Sequence, residues 1–233
     1  CAHYDKVRLL EADLSPMLNV HSGMAGPSMT IKIAVNADSL ATWFVPAAAA
    51  FADRAGICFE FMLEDEAHTA DRLRTGEVLA AVTSVSEPVQ GCKTIPLGEL
   101  TYLACASPGY MRRYFKGGVT ASSLAQSPYL RFDRRDQLQT RWVKKIKGAE
   151  LSGLVHWVPS TFGFLDFALA GIAWGLLPEQ LARSHIQAGR LVELKPGHSL
   201  RVKLFWTVAR IHASSLEVLT KAVIKAAKSG LST

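Results

Sequence analysis

The chain has 233 residues, 49% of them hydrophobic and 20% charged, with a net charge of +6 and a pI near 9.2. This is ordinary for a soluble globular protein and long enough for one large domain or two small ones. No apolar run of about 18 residues suggests a membrane span, and the four well-separated cysteines, none in a C-x-x-C pair, suggest neither a disulfide framework nor a zinc site.

The chain starts at Cys1, without a methionine, in a helical pattern carried by Val7, Leu10 and Leu14. Charges run through this stretch, so it is not a signal peptide. Ser15 and Pro16 interrupt the pattern, and residues 21–28, with Gly23, Gly26 and Pro27, read as a linker. The expectation is a fragment with something removed before Cys1.

From there strands and helices alternate. Residues 30–35 form a buried strand, and the polar turn Asn36, Ala37, Asp38, Ser39 leads into a helix over 39–53. Asp38 or Ser39 can cap that helix, whose first N–H groups can also hold an anion such as a carboxylate. A strand at 58–63, a helix near 67–74 ended by Gly76 and a third apolar run at 78–85 complete a βαβαβ rhythm, which implies a parallel sheet.

The rhythm changes near Pro96. A strand at 100–106, helices at 108–115 and 123–126, a strand at 129–132 and a helix at 137–147 follow. Then come a strand at 154–158, a helix at 162–170, and strand, helix and strand at 172–177, 179–187 and 191–194. A strand at 202–208 and an amphipathic helix at 214–228, expected to pack back on the first half, end the chain. Two α/β lobes joined by two crossovers explain this order, and ligands in such folds bind at strand carboxyl ends, in the cleft between lobes.

No catalytic or metal motif stands out. The seven histidines are dispersed without an H-x-x-x-H pair, and no P-loop, G-x-S-x-G or G-x-G-x-x-G follows a strand. The basic clusters, Arg134 with Arg135 and Lys144 with Lys145 and Lys147, read as solvated helix faces. Cys58 and Cys105 lie in apolar strands, where a buried reduced thiol is usual. No enzyme activity, cofactor or metal is expected, and a reducing cytoplasm fits best.

Four segments resemble the effector-binding domain of LysR-type transcriptional regulators: AVNADSLATW at 34–43, DRLRTGEVLAAVT at 71–83, GVTASSLAQSPYLRFD at 118–133 and GIAWGLLP at 171–178. The first is very like the arginine- and lysine-responsive regulators of basic amino-acid export, once called chromosome-initiation inhibitors. The second and fourth are general to the family, and the fourth has Ala173 where a second Gly often stands. The resemblance implies an α/β fold of two Rossmann-like lobes joined by two crossover strands, periplasmic-binding-protein-like (type II). Lobe one is expected at 29–97 plus 202–233 and lobe two at 98–201, with 1–28 the end of a linker helix and its linker. It also implies a missing N-terminal winged helix-turn-helix through which the full-length protein binds DNA, and assembly of the chain with itself as dimer or tetramer.

The same resemblance implies lysine or arginine as effector. Asn36, Asp38 and Ser39 are the first candidates: Ser39 suits an α-carboxylate, while Asp38 either pairs with an α-ammonium or only caps. Asp65, flanked by Glu64 and Glu66, suits a cationic side chain; a solvated acidic loop before a helix is the other reading. Thr83 and Ser84 end the third strand, Asp133 ends a strand of lobe two, and Ser160 and Thr161 begin a helix. Each has an alternative as a cap or strand terminator. Trp43 reads as core. For self-association the candidates are Ala48, Phe51, Phe59, Phe61, Phe167 and Trp174. A solute-binding protein of a transport system is the rival reading, since it shares the two-lobe design.

Overall fold

The computed structural model describes residues 29–52, 57–63, 69–147 and 151–232. It separates into two units, Cys1–Glu99 with Lys203–Thr233, and Leu100–Val202.

In the first unit β1 (Met29–Val35) lies between two parallel neighbours, and its Ile31, Ile33, Ala34 and Val35 are buried. It pairs in parallel with β2 (Ile57–Leu63) on one side and β3 (Ala80–Thr83) on the other. All four residues of β3 are buried, as expected of a parallel strand covered on both faces. Next to β3 lies β9 (Leu200–Ala209), antiparallel, with Ala80 opposite Val208 and Thr83 opposite Phe205. The start of β4 (Cys92–Ala106) follows, giving the order β2-β1-β3-β9-β4. The helices are α1 (Ala37–Ala41), α2 (Val45–Ala52), α3 (Thr69–Thr75) and, at the end of the chain, α9 (Glu217–Gly230). α9 packs on α2 and buries Leu219, Val223 and Ala227, one stripe at fourfold spacing. Each fully buried side chain of leucine or valine size contributes about 1.5–3 kcal/mol.

In the second unit the end of β4 runs antiparallel to β7 (Gly175–Pro178) and to β8 (Val192–Glu193) on its other edge. β5 (Tyr129–Arg131) and β6 (Val155–Trp157) pair in parallel, and β5 joins the sequence before β7 through the Leu130 N–H to Trp174 carbonyl bond of 2.9 Å. Both units therefore repeat one order: second strand, first strand, third strand, antiparallel crossover strand and then a last strand. α4 (Pro108–Tyr114), α5 (Ala121–Gln126), α6 (Leu138–Lys147), α7 (Thr161–Leu169) and α8 (Glu179–Gln187) complete the unit. Its core gathers Leu103, Cys105, Leu130, Phe164, Leu177 and Leu191.

The structure corrects four expectations. The single helix over 39–53 is two helices, because Pro46 has no N–H to bond back into a preceding turn but is tolerated in the first turn of α2. The cap of α1 is neither Asp38 nor Ser39 but Asn36, since the helix begins as soon as β1 ends. Cys58 is exposed, because β2 is the edge strand and shows this position to solvent, whereas Cys105 is buried as expected. The strand expected at 100–106 also starts earlier, at Cys92.

Candidate functional site

Register decides what comes together in the first unit. Val35 is level with Leu63 of β2 and Val82 of β3, so the three parallel strands finish at one edge of the sheet. The turn 36–39, the segment after Leu63, and Thr83 with Ser84 all leave from that edge. Asp65, with Glu64 and Glu66, belongs to the segment after β2 and lies outside the described residues.

Asn36 is extended (φ −66°, ψ 149°), and its Oδ1 accepts the Ser39 N–H at 2.7 Å. Ser39 has no exposed surface, and its Oγ accepts the Trp43 indole N–H at 3.0 Å. That bond orders the turn and commits the Ser39 proton to being a donor elsewhere. Trp43 is buried, which makes it core, and its ring meets Phe44 edge-on at 5.7 Å. Asn36, Ala37 and Asp38 are half-buried and form the accessible part of the turn. The Thr42 hydroxyl bonds back to the Asp38 carbonyl. The buried Thr83 uses its Oγ1 to accept the Val85 N–H at 3.1 Å, a local turn bond. Ser84 follows it, half-buried.

The second unit repeats this arrangement. Arg131 of β5 is level with Trp157 of β6, and the Val158 N–H bonds the Arg131 carbonyl at 2.9 Å. Asp133 and Ser160 thus leave from neighbouring strand ends. Asp133 Oδ1 accepts the N–H groups of Arg135 (2.8 Å) and Asp136 (3.0 Å), and Oδ2 meets the Arg135 guanidinium at 3.1 Å. The carboxylate is therefore largely engaged within its own turn. Ser160 caps α7 by accepting the Gly163 N–H at 3.0 Å, and Thr161 is buried in the first helical turn. A Cβ at Gly163 would stand 2.7 Å from Val158 Cγ1, so any larger residue there must displace that valine.

Sequence reasoning missed Asn36 as the cap and Asp136 as an organiser. Asp136 accepts the Phe132 N–H and the Leu138 N–H, both at 2.9 Å, fixing the Asp133 turn and the start of α6. The signal was present as a short-range pair of aspartates, a pattern that favours turns.

Of the side chains expected to meet a second copy, Phe51 (1% exposed) and Trp174 (0%) are core residues of their own units and have little surface to offer. Ala48, Phe59 and Phe167 are half-buried and Phe61 is exposed. Phe59 and Phe61 stack with centroids 5.4 Å apart on the edge strand β2. Among the described residues no group of three metal-ligating side chains occurs, and no helix is long and apolar enough to cross a membrane.

Comparison with known proteins gives a consistent result. Residues 24–229 match the model of the LysR substrate binding domain. The chain is 38% identical to the HTH-type transcriptional regulator ArgP of Aeromonas salmonicida over 206 residues, covering 88% of this chain and 68% of that protein. It is 39% identical to LysG of Mycobacterium tuberculosis over 201 residues, covering 86% and 65% respectively. Among solved structures, the C-terminal domains of a LysR family protein from Agrobacterium tumefaciens superpose with a TM-score of 0.85 at 46% identity, over 87% of this chain and 98% of that one. Full-length LysG from Corynebacterium glutamicum with bound effector Arg superposes with a TM-score of 0.84 at 36% identity, over 100% and 78%.

Proposed function

The chain belongs to the LysR substrate-binding-domain family, and from that premise we propose that it senses a basic amino acid, arginine or lysine, for a DNA-binding transcriptional regulator of amino-acid transport or export. The observation that carries this reading is the shared edge of β1, β2 and β3. It sets a capped polar turn beside the origin of the acidic segment Glu64, Asp65, Glu66. The positive end of a helix suits an α-carboxylate, and acids suit a guanidinium or ammonium. The relative with bound arginine, alike over its whole matched length, supports the same class of effector.

In this reading Asn36 and Asp38 present the accessible turn, and Ser39 holds it through Trp43. Asp65 pairs with the cationic side chain, and Thr83 and Ser84 border the site. Asp133, Ser160 and Thr161 are the contacts proposed from the second unit. The domain is not an enzyme and works in the cytoplasm. Its effector acts by preferring one of two arrangements of the regulator, and it shifts the equilibrium only by that difference in affinity. The protein pairs with itself through the edge strand β2, where Phe59 and Phe61 lie. DNA is contacted by an N-terminal winged helix-turn-helix in the longer protein. A solute-binding role has less support, because the similar full-length proteins are named transcriptional regulators.

The test is calorimetric titration of arginine into wild type and Asp65→Asn. Losing a charge partner of the ligand weakens binding by at least roughly tenfold. Unchanged arginine affinity in Asp65→Asn removes this acid from the site.

A further inference from the structure

The effector reading leaves the basic charge of the chain unused, and α6 concentrates part of it. Arg141, Lys144 and Lys145 are exposed at i, i+3 and i+4 spacing and so share one face. Gln139, Trp142 and Val143 are buried on the opposite face. α6 contains no acidic residue, and among the described residues neither Arg141 nor Lys144 has an ion-pair partner. The face is held in place from below. The Trp142 indole N–H donates to the His198 carbonyl, and Lys145 Nζ donates to the Ser199 carbonyl at 3.0 Å. These bonds hold the backbone at His198 and Ser199, in the loop between β8 and β9, against the helix, while the His198 ring bonds the Pro196 carbonyl of its own loop through Nδ1.

The chemistry of this face narrows its partner. A protein interface needs an apolar or aromatic anchor at its centre, and the apolar side chains of α6 turn inward. A single-stranded nucleic acid needs exposed aromatic rings to stack on, and the exposed face of α6 has none. A rigid row of cations with neither feature suits closely spaced phosphates read without regard to sequence. We propose that the outer face of α6, with Arg141, Lys144 and Lys145, is an auxiliary contact for the phosphate backbone of duplex DNA. The choice of DNA rests on the regulator reading; the effector site plays no part in it.

The test is fluorescence anisotropy of a labelled duplex of arbitrary sequence titrated with the full chain between about 50 and 200 mM salt, the range over which phosphate contacts are lost. Arg141→Gln with Lys144→Gln should weaken binding and lower the slope of log K against log salt by about 1.8, and Lys144→Gln alone by about 0.9. Lys225→Gln with Lys228→Gln, exposed on α9, removes the same charge elsewhere and should leave the slope within about 0.3 of wild type. Equal loss in both double variants would mean that net charge alone binds DNA, and it overturns the proposal. So does an absence of duplex binding at the lowest salt, or binding to polyglutamate in place of duplex, which assigns the face to an acidic protein. A double variant that binds arginine normally and DNA like wild type sinks this inference and leaves the effector reading intact.

Discussion

Asn36 separates the architecture of the turn from its chemistry. Its Oδ1 accepts the Ser39 N–H at 2.7 Å, and Ser39 has no solvent-exposed surface. In Asn36→Ala the cap is lost and that N–H is stranded beside the core, which together cost about 2 kcal/mol. For a chain of this size the melting temperature should fall by about 4–8 °C. Asn36→Asp keeps an acceptor at the same position and puts a negative charge at a helix start, so its melting temperature should stay within about 2 °C of wild type. That same charge faces any carboxylate seated at the turn, so arginine affinity should drop by roughly tenfold or more. Thermal denaturation followed by circular dichroism, with parallel arginine titrations, reads both quantities. A melting temperature unchanged in Asn36→Ala refutes the capping argument. A stable Asn36→Asp that binds arginine like wild type places the effector carboxylate elsewhere.

Four further outcomes follow from the geometry. Cys58 is exposed and should react with Ellman's reagent in the native chain, while the Cys105 thiol, pushed up to about 12 by burial and secondarily by Glu193, should stay silent until unfolding. Because the folded-state value is raised above the ordinary 9.0, the stability linked to Cys105 is fully present below pH 9.0 and is lost as pH rises toward about 12, which an alkaline series of melting curves will show. Gly163→Ala should cost about 1–3 kcal/mol in denaturant unfolding, since its Cβ would meet Val158 Cγ1 at 2.7 Å. Phe61→Asp places a charge on the exposed edge strand β2 and should move the chain toward monomer in analytical ultracentrifugation at a concentration where wild type pairs; unchanged association takes Phe61 out of the interface.

The parts of the fold legible in sequence are those fixed by local pattern. β3 shows as a continuous apolar run because both faces are covered, β1 as an apolar run broken at Lys32, and α8 shows between Pro178 and Gly189 because its start and stop chemistry are local. The antiparallel placing of β9 beside β3 joins residues far apart in the chain, and no local pattern encodes it. Asn36 was overlooked because Asp38 and Ser39 are equally good caps by type, and only the end of β1 decides among them. Cys58 and Trp174 are misread for one reason. Whether an apolar residue is core or surface depends on strand order, which puts β2 at an edge and surrounds Trp174 with Tyr129 and Trp142. The candidate site was legible as a set of strand ends, since a strand-to-loop change is local, and so were the local bonds open to Thr83 and Asp133 as alternatives to ligand contact, which both side chains make.

The proposed function stands or falls on recognition of a basic amino acid. Isothermal titration of the chain with arginine, lysine and leucine under one set of conditions tests it most directly. Arginine or lysine should bind saturably at 1:1, with leucine at least roughly a hundredfold weaker, because a site built for a charge leaves its acids unpaired with an apolar ligand. Leucine binding as tightly as arginine, or no heat from either basic amino acid, contradicts it.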